Sequence, residues 1–169
     1  MTPEDPAPPR LVVAAALVWL GAPLRREGPS GGGEASDKLL VQRRPASARH
    51  GAGALELPGG KLERGEGPRE ALARELREEW GPCADELAIG SVAEVLHHVY
   101  PAPGPEVILI VLNVDARVWA DGRWLERITA PPGVEVLAFS RGELPVEQFL
   151  AADRPFIAAI RAGRVTPLG

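Results

Sequence analysis

The chain has a single cysteine, Cys83, among 169 residues. That excludes an internal disulfide and a cysteine-based zinc site, and it points to a reducing cytoplasm. There is no long basic run, and the formal net charge is −4. A nucleic-acid polymer is therefore not an expected partner. The apolar run from Leu11 to Leu24 is too short to span a bilayer. The residues before it, MTPEDPAPPR, set Glu4 and Asp5 against one basic side chain, Arg10, which is the wrong balance for a signal peptide. Gly31-Gly32-Gly33 lacks a following Lys-Ser/Thr, so it is not a phosphate-binding P-loop and reads as a hairpin tip. No internal repeat is visible.

What remains is ordinary for a folded domain: 45% hydrophobic and 25% charged residues. A chain of this length is most simply one domain. We expect a disordered leader over residues 1–9 and a single domain over 10–169. Strands are expected over 10–20, 38–43, 54–57, 88–100, 107–114 and 134–139. The polar Gly-rich stretch 25–37 and residues 46–53 read as loops, Pro101 to Pro105 as a turn, and 119–132 as a polar loop. Leu144 to Leu150 reads as a short helix and Pro155 to Arg161 as a last one. Val107 to Val114 is nearly all apolar, as in a strand buried on both faces. The sum is α/β: a mixed central sheet with helices on both sides.

The densest chemistry lies in Gly60 to Pro82, GKLERGEGPREALARELREEWGP. Pro68 is tolerated in a first helical turn, Gly67 is an acceptable N-cap, and Gly81-Pro82 is a stop signal. Leu72, Leu76 and Trp80 define one apolar stripe. At about 100° per residue, Glu75, Glu78 and Glu79 occupy a neighbouring strip of the helix. Arg74 has Glu70 and Glu78 at i−4 and i+4 and can pair with either. Leu57-Pro58-Gly59-Gly60-Lys61 sets a loop of close-approaching backbone beside these acids. Crowded hard oxygen donors next to such a loop suit Mg²⁺ or Mn²⁺ bound with a phosphate substrate.

The spacing G-x5-E-x7-R-E-U-x-E-E-x-G-U, with U a bulky aliphatic residue, resembles the box of the Nudix hydrolases. Every position is met except the last, where Pro82 stands in a packing position. Outside the box, KLLVQRRPASARHGAGALELPGGKLERGE and FLAADRPFIAAI resemble segments of the MutT-type branch. The resemblance implies a Nudix-type α/β/α sandwich. It also implies hydrolysis of a nucleoside diphosphate linked to another moiety, with divalent ions. It assigns Glu75, Glu78, Glu79 and the Gly59 carbonyl as metal ligands. Catalysis falls to Glu79, Arg74 and Glu78, with Gly60 and Glu66 in support. Glu79 is the first choice of general base, with Glu126 and Glu135 as candidates outside the box.

For substrate binding, Arg43, Arg44, Tyr100 and Asp153 are singled out. Asp153 matches the residue that meets a purine edge in the MutT-type branch, but Asp two residues before Pro155 is equally a helix N-cap. The leading expectation is a nucleoside triphosphate, oxidised dGTP included, cleaved to monophosphate and pyrophosphate. Tyr100 lies past the box where some dinucleoside polyphosphate enzymes carry a tyrosine. The proline spacing of ADP-ribose enzymes is not found, since Pro101 comes too late. Dinucleoside polyphosphate or ADP-ribose hydrolysis is the alternative within the family, and a non-catalytic nucleotide-binding module is the alternative outside catalysis. The expected partner is a small nucleotide, with no membrane involved, and the protein is either a monomer or a homodimer.

Overall fold

The computed structural model describes residues 9–21 and 38–165. The expected leader, apart from Pro9, and the hairpin tip at 25–37 lie outside these. Pro9 is anchored, because its carbonyl accepts the Glu106 N–H at 3.1 Å.

The core is built on β1 (Arg10–Leu20), a strand whose second half is completely buried. Its side chains alternate between two layers, as the strand period demands. Ala14, Ala16 and Val18 face one cluster, and Ala15, Leu17 and Trp19 face the other. β1 pairs in parallel with β6 (Glu106–Asp115), from Arg10 opposite Glu106 to Trp19 opposite Asp115. The remaining pairings are antiparallel, so the sheet is mixed. β2 (Lys38–Arg43) meets β1 at its start and β3 (Leu55–Glu56) at its end, while β7 (Glu135–Ser140) runs along its other edge. β5 (Ala88–Val99) is an edge strand, paired to β6 through a bulged register.

Helix α1 (Pro68–Trp80) covers one face with Ala71, Leu72, Leu76 and Trp80. Helix α3 (Arg154–Arg161) covers the other with Phe156, Ile157 and Ile160. The expected α/β/α sandwich is therefore present. α1 ends at Gly81, whose φ of 81° suits glycine. On β6, Val107, Leu109 and Val111 face the α3 layer and Leu112 and Val114 face the α1 layer, so both faces are packed as expected.

Several boundaries differ from the sequence reading. Gly59–Lys61 is not loop but a short strand, β4, paired with β1. At Gly59 a Cβ would run into the Ala14 carbonyl, so only glycine lets the two backbones close. The stretch 119–132 is not simply polar loop. Trp119 is 1% exposed and its ring lies 5.8 Å from that of Trp80. A single turn over Arg117–Trp119 and the short helix α2 (Trp124–Arg127) fold this segment over the end of α1, where Thr129 N–H caps the Trp80 carbonyl at 2.9 Å. Tertiary burial of tryptophan here outweighs the local polarity. The helix expected over 144–150 contracts to one turn, Val146–Gln148. Among the described residues no helix is long and apolar enough to cross a membrane.

Candidate active site

Arg74 organises the box. Its Nε and Nη2 clasp both carboxylate oxygens of Glu66 at 2.7 and 2.9 Å. Its Nη1 donates to Glu75 at 2.9 Å and reaches Glu78 at 3.5 Å, and Nη2 also donates to the Lys61 carbonyl at 3.0 Å. One guanidinium thus ties the glycine-rich segment to α1 with the bidentate geometry arginine favours. Glu70, expected as an alternative partner, turns back instead and accepts the Gly67 N–H at the helix start. Held by Arg74 and then by the Glu63 amide, Glu66 is pulled down to about 2.

The three box glutamates occupy different environments. Glu78 is exposed, with 60% of its side chain open. Glu75 lies flat on Gly60, where a Cβ would run into its carboxylate. Glu79 turns toward the sheet: Gln42 Nε2 donates to Oε1 at 2.7 Å and Gly59 N–H donates to Oε2 at 3.0 Å. Both donors are neutral. Part of Glu79 remains open to solvent, yet burial of its carboxylate pushes it up to about 8, with Glu56 and Glu75 adding repulsion.

The expected convergence of Glu75, Glu78 and Glu79 is therefore only partial. Among the described residues no three acidic, histidine or cysteine side chains are gathered as a metal cluster. Arg74 binds Glu75 and Glu78, while Gln42 and the Gly59 N–H hold Glu79. The residues still fit a hard divalent ion. The donors are all carboxylate oxygens, and Glu79 has no cationic partner among the described residues.

Across Gly59 and Gly60 from these acids opens a cavity of about 570 Å³. Arg44, Arg49, Glu56, Tyr100 and Asp153 supply most of its polar groups. Arg44 Nη1 binds Glu56 at 2.7 Å. Asp153 is 4% exposed and stands at the N-cap position of α3, but its side chain makes no capping bond. It lines the cavity instead. Burial raises its pKa well above the usual carboxylate range, and neighbouring Glu56 adds to the shift. Tyr100 also lines the cavity, its hydroxyl accepting the Ala152 N–H at 3.3 Å.

Other expected residues are placed elsewhere. Arg43 is turned from the cavity, with its Nε on Glu135 at 3.2 Å and its Nη1 on the Gly53 carbonyl at 3.0 Å. Consecutive residues of an extended strand end point oppositely, so only Arg44 reaches the wall. Neither outside candidate for the base lines the cavity: Glu126 pairs with Arg123, and Glu135 with Arg43.

Two residues with no assigned role join the site. Gln42 is 2% exposed between Glu79 and Glu56. Glu56 lies opposite it in the β2–β3 register. Glu56 could have been found as a lone polar residue within the apolar segment ALEL, whereas Gln42, followed by Arg43 and Arg44, carried no such signal.

The NUDIX domain family matches residues 30–161. Over 126 residues the chain is 30% identical to the 8-oxo-dGTP diphosphatase of Escherichia coli (strain K12), covering 75% of this chain and 88% of that protein. A CTP pyrophosphohydrolase of the same strain is 50% identical over 48 residues, which is 28% of this chain and 35% of that one. The solved MutT protein from Methanosarcina mazei Go1 superposes with a TM-score of 0.68 at 22% identity, covering 96% of this chain and 100% of that one. The E. coli ORF135 protein does so with a TM-score of 0.59 at 24% identity, covering 94% and 93%. At those identities the structural likeness is one of fold. With the family match spanning most of the sequence, the chain belongs to the Nudix family of hydrolases. Within it, the chain is a pyrophosphohydrolase, and it resembles the MutT-type branch in fold.

Proposed function

We propose that this protein cleaves a nucleoside triphosphate to the monophosphate and pyrophosphate with Mg²⁺ or Mn²⁺, preferring a purine, oxidised dGTP foremost. The observation that carries this reading is Asp153. It is a buried carboxyl that leaves its helix uncapped and faces a nucleotide-sized cavity, where it is placed to hydrogen-bond a base edge. The E. coli relative that shares most of the chain's length is named for 8-oxo-dGTP, which supports the same choice.

On this reading Glu75, Glu78, Glu79 and Gly59 hold the ion. When bound, the ion neutralises phosphate oxygens and acidifies the attacking water. Arg74 keeps Glu75 and Glu66 oriented, and Arg44 at the cavity wall meets phosphate or base. Glu126 and Glu135 are each taken up by an arginine outside the box, so Glu79, within the box, is the candidate to take a proton from water. The nucleotide is the expected partner, and residues 10–169 act as one cytoplasmic domain.

Purified protein incubated with Mg²⁺ or Mn²⁺ and a panel of common and oxidised triphosphates, ADP-ribose and dinucleoside polyphosphates tests this directly. Pyrophosphate release with preference for one purine triphosphate, lowered in Asp153→Ala, is the expected result. Cleavage of ADP-ribose or dinucleotides alone would overturn the substrate, and no turnover at all would overturn the triphosphatase reading.

A further inference from the structure

Gln42 and Asp153 are the polar side chains buried in the core of the described residues. Asp153 faces the cavity; Gln42 does not line it. Gln42 spends its amide on two acids, donating to Glu79 at 2.7 Å and, less closely, to Glu56 at 3.4 Å. Its own Oε1 is buried without a hydrogen-bond partner among the described residues. An unpaired buried acceptor lowers stability, and its β2 neighbours Leu40 and Val41 show that the strand accommodates apolar side chains. A carboxamide kept here against that cost has work beyond packing.

The chemistry of the amide defines that work. A lysine or arginine would neutralise Glu79 and compete with a divalent ion for it. A glutamate would add a third carboxylate beside Glu79 and Glu56. A leucine or methionine would leave Glu79 free to rotate. Glutamine alone of these is neutral, carries two N–H groups on one nitrogen and reaches both acids. The Gly59 amide fixes the other oxygen of Glu79 at 3.0 Å. Together the two donors set the plane of the carboxylate and leave its remaining lone pairs free.

We propose that Gln42 is a positioning residue that holds the Glu79 carboxylate, braced against Glu56, in the orientation that receives the divalent ion. This rests on the proposed metal-dependent hydrolysis. Outer partners of this kind commonly change metal affinity or turnover by about 10–100-fold when removed.

The test compares Gln42→Met, which keeps length and volume but has no donor, with Gln42→Lys. Mn²⁺ binding to each purified protein is followed by electron paramagnetic resonance, alongside circular dichroism for folding and kcat and KM on the preferred triphosphate. The expected result for folded Gln42→Met is Mn²⁺ affinity weakened about tenfold or more, kcat lowered by a similar factor and KM nearly unchanged. Gln42→Lys is expected to fold and to lose Mn²⁺ binding. Unchanged Mn²⁺ affinity in folded Gln42→Met would overturn the proposal. If that variant does not fold, unchanged affinity in Gln42→Lys would do so. Should the unaltered protein bind Mn²⁺ but cleave no nucleotide, the proposed function fails while the Mn²⁺ comparison still decides the role of Gln42. If the unaltered protein binds no Mn²⁺, both fall together.

Discussion

Glu79 is stable only as a compromise between fold and chemistry. Neutral donors and burial hold it, and among the described residues no cation pairs with it. Replacing it by Gln keeps the shape and removes the charge. Glu79→Gln is expected to lower kcat by on the order of 100-fold or more. It should also raise the melting temperature of the metal-free protein at pH about 8, the opposite direction. Paired activity assays and thermal melts in chelator check both. Gly60 makes a second prediction. The added methyl of Gly60→Ala meets the Glu75 carboxylate, whose partner is Arg74. Turnover should fall by about tenfold or more with a small change in melting temperature, because the displaced group is a partly exposed side-chain end and not the core. Steady-state kinetics with a melt on the same sample decides this. A large loss of stability without loss of kcat would contradict it.

At the scale of elements, α1 holds the site because it is pinned at both ends. Gly67 and Glu70 close its start, Gly81 ends it, and Thr129 caps its last exposed carbonyl. The Trp80–Trp119 contact clamps the end of the helix to the segment after β6. Trp119→Ala should therefore cost about 3–5 kcal/mol of stability, as for other buried large aromatics, measured by chemical denaturation. Turnover at low temperature should fall less steeply than stability, because Trp119 touches none of the box acids. The spacing of Leu72, Leu76 and Trp80 made this helix legible in the sequence to within a residue at each end. Trp119 was not legible. Its neighbours are polar, and only the return of the chain over α1 gives its ring somewhere dry to pack.

For the molecule as a whole, titration gives a stability profile with a definite sign. Glu79 has a raised folded-state pKa of about 8 against a reference of 4.5. Between those values the folded protein keeps a proton that the unfolded chain has released. Its contribution to stability then falls as pH rises, by at most about 1.4 kcal/mol per pH unit for one proton. Asp153 and Glu56, both raised by burial, act in the same direction. Glu66 acts oppositely: its stabilisation by Arg74 is present above its reference value and is lost as pH falls toward about 2. Thermal melts in chelator should show stability declining from about pH 5 to about pH 8, and Glu79→Gln should flatten that decline. A profile that rises across this window would refute the burial of these acids.

The sequence by itself determined the parts governed by neighbours along the chain. These are the box helix and its stops, the strand segments β1, β2 and β6, and the i+4 pairing of Arg74 with Glu78. Periodicity and spacing act over a few residues, so they survive without a tertiary structure. The tertiary structure decided which acid is buried and which is exposed, that Arg44 and not Arg43 reaches the cavity, and that Asp153 leaves its helix uncapped. It also brought Gln42 between Glu79 and Glu56, residues drawn from α1 and β3. Those outcomes depend on strand order, register and burial, which are set by contacts between segments far apart in the chain.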